Sequence, residues 1–482
     1  MVLKNKKGDI INLRGTNLGS WLSMEAWIGP LGKAALGRSN WVVNRAADHQ
    51  SIKIDLVSPT VFDEIVLEYK ANIPDNAAYL VQVSADGAKW DTVRKSAVQL
   101  NRNVYSLDAK LLRYIKIDNQ NKAGIKGGED SLKGIAEIYA YMDDDFSVRN
   151  AMIERFGEKQ TDQLFDDYQK IWITTDDLNR IARMGMNMVR VPVYWMELMD
   201  NRGEMKRNAF SQLDWITREC SKRNMYIIID LHGAPGGLDA YITSGQAVTN
   251  DIWQQEKWQS WTIRLWEAVA MHFKGNPAVA AYDLLNEPVS NNKDFPTRTL
   301  YDRLYKAVRA KDPDHLISMG AFNIFDFIGS PVSNGWTNVI YQAHYYNTDI
   351  SNKSSQEGFM QVALKDMETH QQQWNVPVYA GEYNFWQYTD IWQKWMEGLN
   401  RLNASWSNWT YKNRVKEPAN WGFYQINASP IPDMSFDSIA TIREKWSKFS
   451  TGNFKANDAF IAVVNSQTRV PAVDNSPKNT HP

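Results

Sequence analysis

Two glutamates, each closing a short apolar run, are the residues of this chain best placed to do chemistry. Val279 to Leu285 has the composition of a strand buried on both faces and stops at Asn286, Glu287 and Pro288; Val376 to Ala380 stops in the same manner at Gly381 and Glu382. One such carboxylate is an ordinary turn charge. Two of them, at the mouths of two separate buried strands, make a pair. Other strand ends carry Arg190, His232, His344 with Tyr346, and Trp409. Polar groups gathered at the same end of nearly every strand are what a parallel barrel offers as an active site, and two carboxylates in that setting suit glycoside cleavage. Metal binding is the competing reading. His232, His344 and Glu382 lie on distant strands without paired-ligand spacing, so neither a metal nor another cofactor is expected.

The elements that must position these groups form a β/α repeat. The N-terminal run Ile10 to Gly19 is followed, after an interruption, by Met186 to Val193, Tyr226 to Leu231, Val279 to Leu285, Leu316 to Met319, Val339 to Ala343, Val376 to Ala380 and Ala404 to Trp409. Helix-period segments separate the last seven, which predicts an α/β fold, a (β/α)8 TIM barrel. Thr174 with Asp177 reads as a capping box for the helix leading into the second strand. Trp258, Trp261, Leu265 and Val269 sit at helical spacing and read as a core stripe.

The interruption has another character. From Gly37 to Tyr141 short alternating runs are separated by turns, namely Ser51 to Val57, Ile65 to Tyr69, Tyr79 to Val83, Tyr114 to Ile117 and Ile135 to Tyr141, with a hairpin signal at Ala85-Asp86-Gly87. The expected division is a catalytic barrel over 1–36 and 145–465, an inserted all-β sandwich over 37–144, and a polar tail over 466–482.

At 482 residues the chain is too long for one ordinary core. Its net charge of −1, with both signs mixed throughout, gives no electrostatic reason to expect nucleic acid or a membrane as partner. Cys220 is the only cysteine, so no intramolecular disulfide holds the fold. The first residues, MVLKNKKGDI, lack the apolar segment of a signal peptide; secretion or periplasmic export after removal of a leader is the expected compartment, with the cytoplasm as the other option. A monomer is expected. The 20 Trp and 21 Tyr lean towards carbohydrate, since flat rings suit sugar faces.

RGTNLGSWLSMEAWI, MVRVPV, DLHGAPGG, LLNEP, the HYY of His344 to Tyr346, GEY and WTYK, in that order, resemble the family 5 glycoside hydrolases of the retaining two-glutamate clan. The first and third motifs are most similar to the exo-β-1,3-glucanase branch. The resemblance implies Glu287 as acid/base and Glu382 as nucleophile, with Arg190 beneath the nucleophile, Tyr346 orienting it and His344 beside the acid/base. It further implies Asn286 on the sugar 2-hydroxyl, His232 and Glu25 on other hydroxyls of the −1 sugar, and Trp409 as its stacking floor. The implied substrate is a β-1,3-glucan polysaccharide or oligosaccharide. Gly236 to Asp239 and Asn384 to Tyr388 depart from the branch pattern, which leaves linkage and exo or endo action open. The other readings are a β-1,6- or β-1,4-glucanase, a β-glucosidase or glucosylceramidase-like enzyme of the same family, and a non-catalytic carbohydrate-binding barrel.

Within the insert, Ile52 to Leu56, VQVSADGAKWDTV, RYIKI and IAEIYAY resemble the discoidin type of β-sandwich, the coagulation factor 5/8 type C module that many enzymes use to bind carbohydrate. Trp90 reads as packed, and a structural insert is as fair a reading as a glycan-binding one.

Overall fold

A computed structural model of the chain describes residues 2–4, 8–37, 41–46, 51–69, 79–99, 101–120, 134–414, 420–426 and 430–471. It divides into two compact units, one comprising Met1–Pro30, Gln163–Pro430 and Arg443–Pro482, the other Leu31–Asp162 with Ile431–Ile442.

The first unit is a closed barrel of eight parallel strands: β1 (Arg14–Asn17), β2 (Met188–Tyr194), β3 (Tyr226–Gly233), β4 (Val279–Asp283), β5 (Leu316–Gly320), β6 (Val339–Tyr346), β7 (Val378–Asn384) and β8 (Ser405–Asn408), with β8 pairing back to β1. All eight correspond to runs expected from the sequence. Every residue of β2 and β7 is buried, as strands covered by helices outside and by side chains inside must be. The helix Thr175–Arg183 starts at the expected capping box: Thr174 accepts from the Asp177 amide, and Asp177 accepts from the Thr174 amide at 2.8 Å. In the helix Glu256–Phe273, Trp261, Leu265 and Val269 are buried, while Trp258 is half-buried and lies over Gly236. A Cβ on Gly236 would stand 2.4 Å from that indole, and its φ of +83° is one few other residues adopt, so only glycine fits here.

Inside the barrel, side chains stack in layers. Leu13, Met188, Ile228, Ala281, Ile340 and Tyr379 form one buried apolar cluster towards the N-terminal ends of the strands. Two residues further along four of these strands stand Arg190, Asp230, Asp283 and Gln342, all buried. The period of two keeps the same face inward, so the apolar layer is the floor beneath a polar one.

The polar tail begins later than expected. Residues 466–468 are the last turn of the helix Asp458–Thr468, and Arg14 Nη1 donates to the Thr468 carbonyl at 3.0 Å. That helix has only one short apolar run, Phe460 to Val464, which is too little periodic signal to carry the boundary forward. Residues 472–482 lie outside the described residues.

The second unit is built on an all-β sheet of eight strands. It reaches beyond 37–144 because Ala34 and Ala35 pair with Met142 and Tyr141, and the Tyr141 hydroxyl donates to Asp433 at 3.0 Å. The runs Ser51 to Val57 and Ile65 to Tyr69 are parts of one long strand, Ser51–Tyr69, and Tyr114 to Ile117 belongs to Arg102–Asn119. These two strands pair antiparallel along their length, with register shifts between Ser106 and Lys110 and between Leu112 and Tyr114. Ile52, Ile54, Ile115 and Ile117 from one half share a core cluster with Phe62, Ile65 and Leu67 from the other. The expected hairpin is present: Val81 pairs with Val93, and Asp86 Oδ1 accepts from the amides of Ala88 and Lys89. Trp90 is half-buried, 6.5 Å from the Tyr114 ring.

Candidate active site

All nine residues singled out from the sequence stand at the C-terminal mouth of the barrel. Arg190, His232, His344 with Tyr346, and Glu382 come from β2, β3, β6 and β7; Asn286 and Glu287 follow β4, Trp409 follows β8, and Glu25 lies on the segment after β1. Strand pairing aligns them, His344 lying opposite Glu382. Glu287 adopts a φ of +45°, a left-handed backbone uncommon for a residue with a side chain.

Arg190 is the hub, with no exposed surface. Its Nε donates to Asp283 at 2.8 Å, Nη1 to Glu382 Oε1 at 2.7 Å and to Asn17 Oδ1 at 3.0 Å, and Nη2 to Asn286 Oδ1 at 2.9 Å, with Asp230 Oδ1 3.0 Å from the same nitrogen. Three carboxylates around one guanidinium is a crowded arrangement. Burial pushes Asp230 up to about 7 and Asp283 up to about 6, with the cation of Arg190 pulling the other way. For Arg190 burial opposes the charge, yet the carboxylates of Asp230, Asp283 and Glu382 outweigh it and hold its pKa well above the ordinary value.

Glu382 is gripped from two sides, Oε1 by Arg190 and Oε2 by the Tyr346 hydroxyl at 2.9 Å. Glu287 is placed differently. Its Oε1 lies 2.7 Å from His344 Nδ1, and its side chain is 16% exposed. Burial pushes it up to about 7, against the lowering influence of His232 and Arg190. His344 is held down to about 4 by burial and is neutral at ordinary pH. Its tautomer follows from its partners: Ser318 donates to Gln342 Oε1 at 2.8 Å, which turns the amide nitrogen of Gln342 onto His344 Nε2 at 2.8 Å. The ring proton is then on Nδ1 and is donated to Glu287 Oε1, which leaves Oε2 of Glu287 to carry an acidic proton.

On the opposite side, Asp230 holds His232 Nδ1 at 2.7 Å, and the His232 ring lies nearly parallel to Trp409, with centroids 5.2 Å apart. Burial lowers His232 to about 4, so it too is neutral. Glu25 is 2% exposed. Its Oε2 accepts from Trp27 Nε1 at 2.6 Å, whereas its Oε1, 3.7 Å from His232 Nε2, has no hydrogen-bond partner among the described residues. Burial, with the charges of Glu382, Glu287 and Asp239, raises its pKa well above the usual carboxylate range, and the Trp27 hydrogen bond opposes that rise.

Sequence reasoning missed several residues of this mouth. Asn17, Asp230 and Asp283 lie within strands and carry no turn signal, and Gln342 reads as strand interior. Asp239 closes the Gly236-Gly237-Leu238 segment; burial raises it to about 6, and it feels the charges of Glu287 and His232. Trp421 packs edge-on against Trp27 at 4.8 Å and Trp386 at 5.1 Å, and stands 5.9 Å from Tyr346.

Carboxylate oxygens of Glu287 and Glu382 and a nitrogen of His344 all lie within 4.8 Å of one another, a set of donors that a metal ion can use. Each of the three already has a protein partner in Arg190, Tyr346, Gln342 or one another, so the set is satisfied without an ion.

The sequence model described as Cellulase (glycosyl hydrolase family 5) matches residues 148–415. A β-xylosidase of Phanerodontia chrysosporium is 26% identical over 344 residues, 63% of this chain and 71% of that protein. The glucan endo-1,6-β-glucosidase B of Emericella nidulans is 31% identical over 143 residues, 28% of this chain and 35% of that protein. A glucan 1,3-β-glucosidase of Candida oleophila is 25% identical over 303 residues, 58% of this chain and 65% of that protein. The last two are therefore matched over less than two thirds of their own length. With more than half of its length under the family model and two carboxylates meeting at the mouth of a closed barrel, this chain belongs to glycosyl hydrolase family 5 and is a glycoside hydrolase.

Proposed function

We propose that the protein is a retaining β-glucan hydrolase acting on β-1,3-linked, laminarin-type substrates by double displacement. The observation that carries the mechanism is the distance between the glutamates. Retaining enzymes hold their carboxyls about 5 to 5.5 Å apart and inverting ones about 6.5 to 9.5 Å, and an approach within 4.8 Å supports the first class.

Glu382, paired with Arg190 and hydrogen-bonded by Tyr346, attacks the anomeric carbon as nucleophile, while Glu287 gives its Oε2 proton to the departing oxygen. The two environments divide the roles: Glu382 is fixed against the Arg190 guanidinium with an oxygen held by Tyr346, and burial favours the protonated form of Glu287. Once Glu382 is esterified its charge is gone, and Glu287 as carboxylate draws a proton from the water that releases the sugar. Asn286 has its carbonyl occupied by Arg190, which leaves its amide nitrogen to donate to the 2-hydroxyl. Glu25 Oε1 and His232 Nε2, 3.7 Å apart, are placed to share a further sugar hydroxyl, and this carboxyl oxygen without a hydrogen-bond partner among the described residues supports the β-1,3 reading over the β-1,6- and β-1,4-glucan, glucoside and non-catalytic readings. The all-β unit, whose two halves share one core, we read as a discoidin-like sandwich that binds insoluble glucan. In this reading the enzyme is secreted or periplasmic.

The test of mechanism is the anomer formed first, followed by proton NMR on an aryl β-glucoside. The β-anomer is expected, and initial release of the α-anomer overturns the assignment of Glu382 as nucleophile. The test of substrate is the product profile on β-1,3-, β-1,4- and β-1,6-glucans and β-xylans. Intact β-1,3 members beside a cleaved rival overturn the linkage while leaving the mechanism standing.

A further inference from the structure

His344 stands between the two glutamates, its Nδ1 2.7 Å from Glu287 Oε1 and 3.6 Å from Glu382 Oε2. Which nitrogen carries the one proton of the neutral ring therefore decides what the pair can do. With the proton on Nδ1, the ring donates to Glu287 Oε1 and the acid keeps its own proton on Oε2. With the proton on Nε2, the bare Nδ1 accepts from Glu287, whose acidic proton is then held on Oε1 against the ring. That second arrangement also sets a nitrogen lone pair beside two carboxylates. Ligands about 2.0 to 2.2 Å from a tetrahedral zinc ion stand about 3.3 to 3.6 Å from one another. Oxygens of Glu287 and Glu382 and a nitrogen of His344 lie within 4.8 Å of one another, close enough to be drawn onto one ion. The same three side chains are thus an acid with its nucleophile, or a metal site, according to the place of one proton.

That place is set from behind the ring, by Gln342 and Ser318, both buried. Ser318 Oγ donates to Gln342 Oε1 at 2.8 Å, so the amide nitrogen faces His344 Nε2 at 2.8 Å. Two donors cannot share one hydrogen bond, and Nε2 is left bare. The amide is also seated. A Cβ on Gly381, the residue before Glu382, would stand 2.4 Å from the Gln342 nitrogen and 2.5 Å from its carboxamide carbon, so the amide fills the space a side chain at 381 would take. Gly381 is itself fixed, its carbonyl accepting from Asn17 Nδ2 at 2.9 Å and from Ser407 Oγ at 2.6 Å. We propose that Gln342 is a positioning residue: locked by Ser318 and seated on Gly381, it keeps the His344 proton on Nδ1, which reserves the two glutamates for acid and nucleophile and closes them to a divalent metal ion. The catalytic half rests on the glycosidase reading; the exclusion of metal does not.

Ser318→Ala is the sharpest variant. It deletes one buried hydroxyl and leaves Gln342 Oε1 without its donor, and because an unpaired buried carbonyl is costly, the amide turns Oε1 towards a protonated His344 Nε2. Gln342→Met, of equal length and without an amide, is the second variant. Zn²⁺ is titrated calorimetrically into the full-length chain and into each variant, with and without an added Glu382→Gln. Both variants are expected to bind Zn²⁺ about 10- to 100-fold more tightly than the unsubstituted chain, at a site that the added Glu382→Gln abolishes. Their kcat/KM on laminaribiose, whose leaving group needs the proton, is expected to fall about tenfold or more, with little change on a dinitrophenyl glucoside. Unchanged Zn²⁺ affinity in both variants overturns the proposal, and so does an equal loss on the two substrates, which is what a merely structural role would give. If the unsubstituted chain cleaves β-xylosides and no β-glucoside, the glycone reading has failed instead; the leaving-group comparison is then read on xylobiose and a dinitrophenyl xyloside, and the Zn²⁺ titration decides as before.

Discussion

The two ends of one barrel differ by a single step along each strand. Met188, Ile228, Ala281 and Ile340 make an apolar floor, and two residues later Arg190, Asp230, Asp283 and Gln342 make a layer of buried charge and amide. The floor is held by packing, which is non-directional and tolerates volume-conserving exchange. The upper layer is held by hydrogen bonds with fixed partners, and a single lost partner leaves a buried charge uncompensated. One layer supplies stability and the other places the glutamates, although both face the same barrel interior.

Substitutions can break this division. Glu382→Gln is expected to lower kcat/KM about 10⁴-fold or more in steady-state assays. The same change relieves the crowding of three carboxylates on Arg190, so the Tm by calorimetry should stay level or rise; a large fall in Tm would mean that Glu382 holds the fold as well as the substrate. Glu287→Gln should cost about 10² to 10⁴ on oligosaccharides and much less on a dinitrophenyl glucoside, whose leaving group needs no proton. Tyr346→Phe removes one hydrogen bond to a charged carboxylate and should cost about tenfold to a hundredfold in kcat. With Glu287 near 7, the protonated acid is lost as pH rises through that value, and log kcat/KM should then fall with a slope approaching −1. In the floor, Ile340→Ala should cost about 2 to 5 kcal/mol of unfolding free energy and leave kcat/KM where it was.

The strands that carry the floor were legible in the sequence, and the carboxylates gathered on the hub were not. Apolar runs ending in a polar residue pointed to the strands and to eight of the nine candidate positions, and motif resemblance supplied Glu25 and the individual roles. Asp230 and Asp283 passed as strand residues because nothing in a linear pattern says that two carboxylates will meet one arginine; that meeting is made by the closure of the sheet. Trp421 escaped for a similar reason, being brought against Trp27 and Tyr346 from far along the chain. In the second unit, Ser58 and Pro59 read as a turn between two short strands, yet Ser51–Tyr69 passes through them as one element.

The backbone of Glu287 has a consequence for descent. Its φ of +45° is one at which glycine or asparagine would rest more easily than glutamate. In the proposed mechanism the acid's role in catalysis is what a glutamate at this position supplies and glycine or asparagine does not. A descendant that kept the barrel only to recognise sugars would be expected to drift early to glycine or asparagine at this position and to gain thermal stability as it did so, which makes this one codon a marker for distinguishing working enzymes from retired ones among its kin.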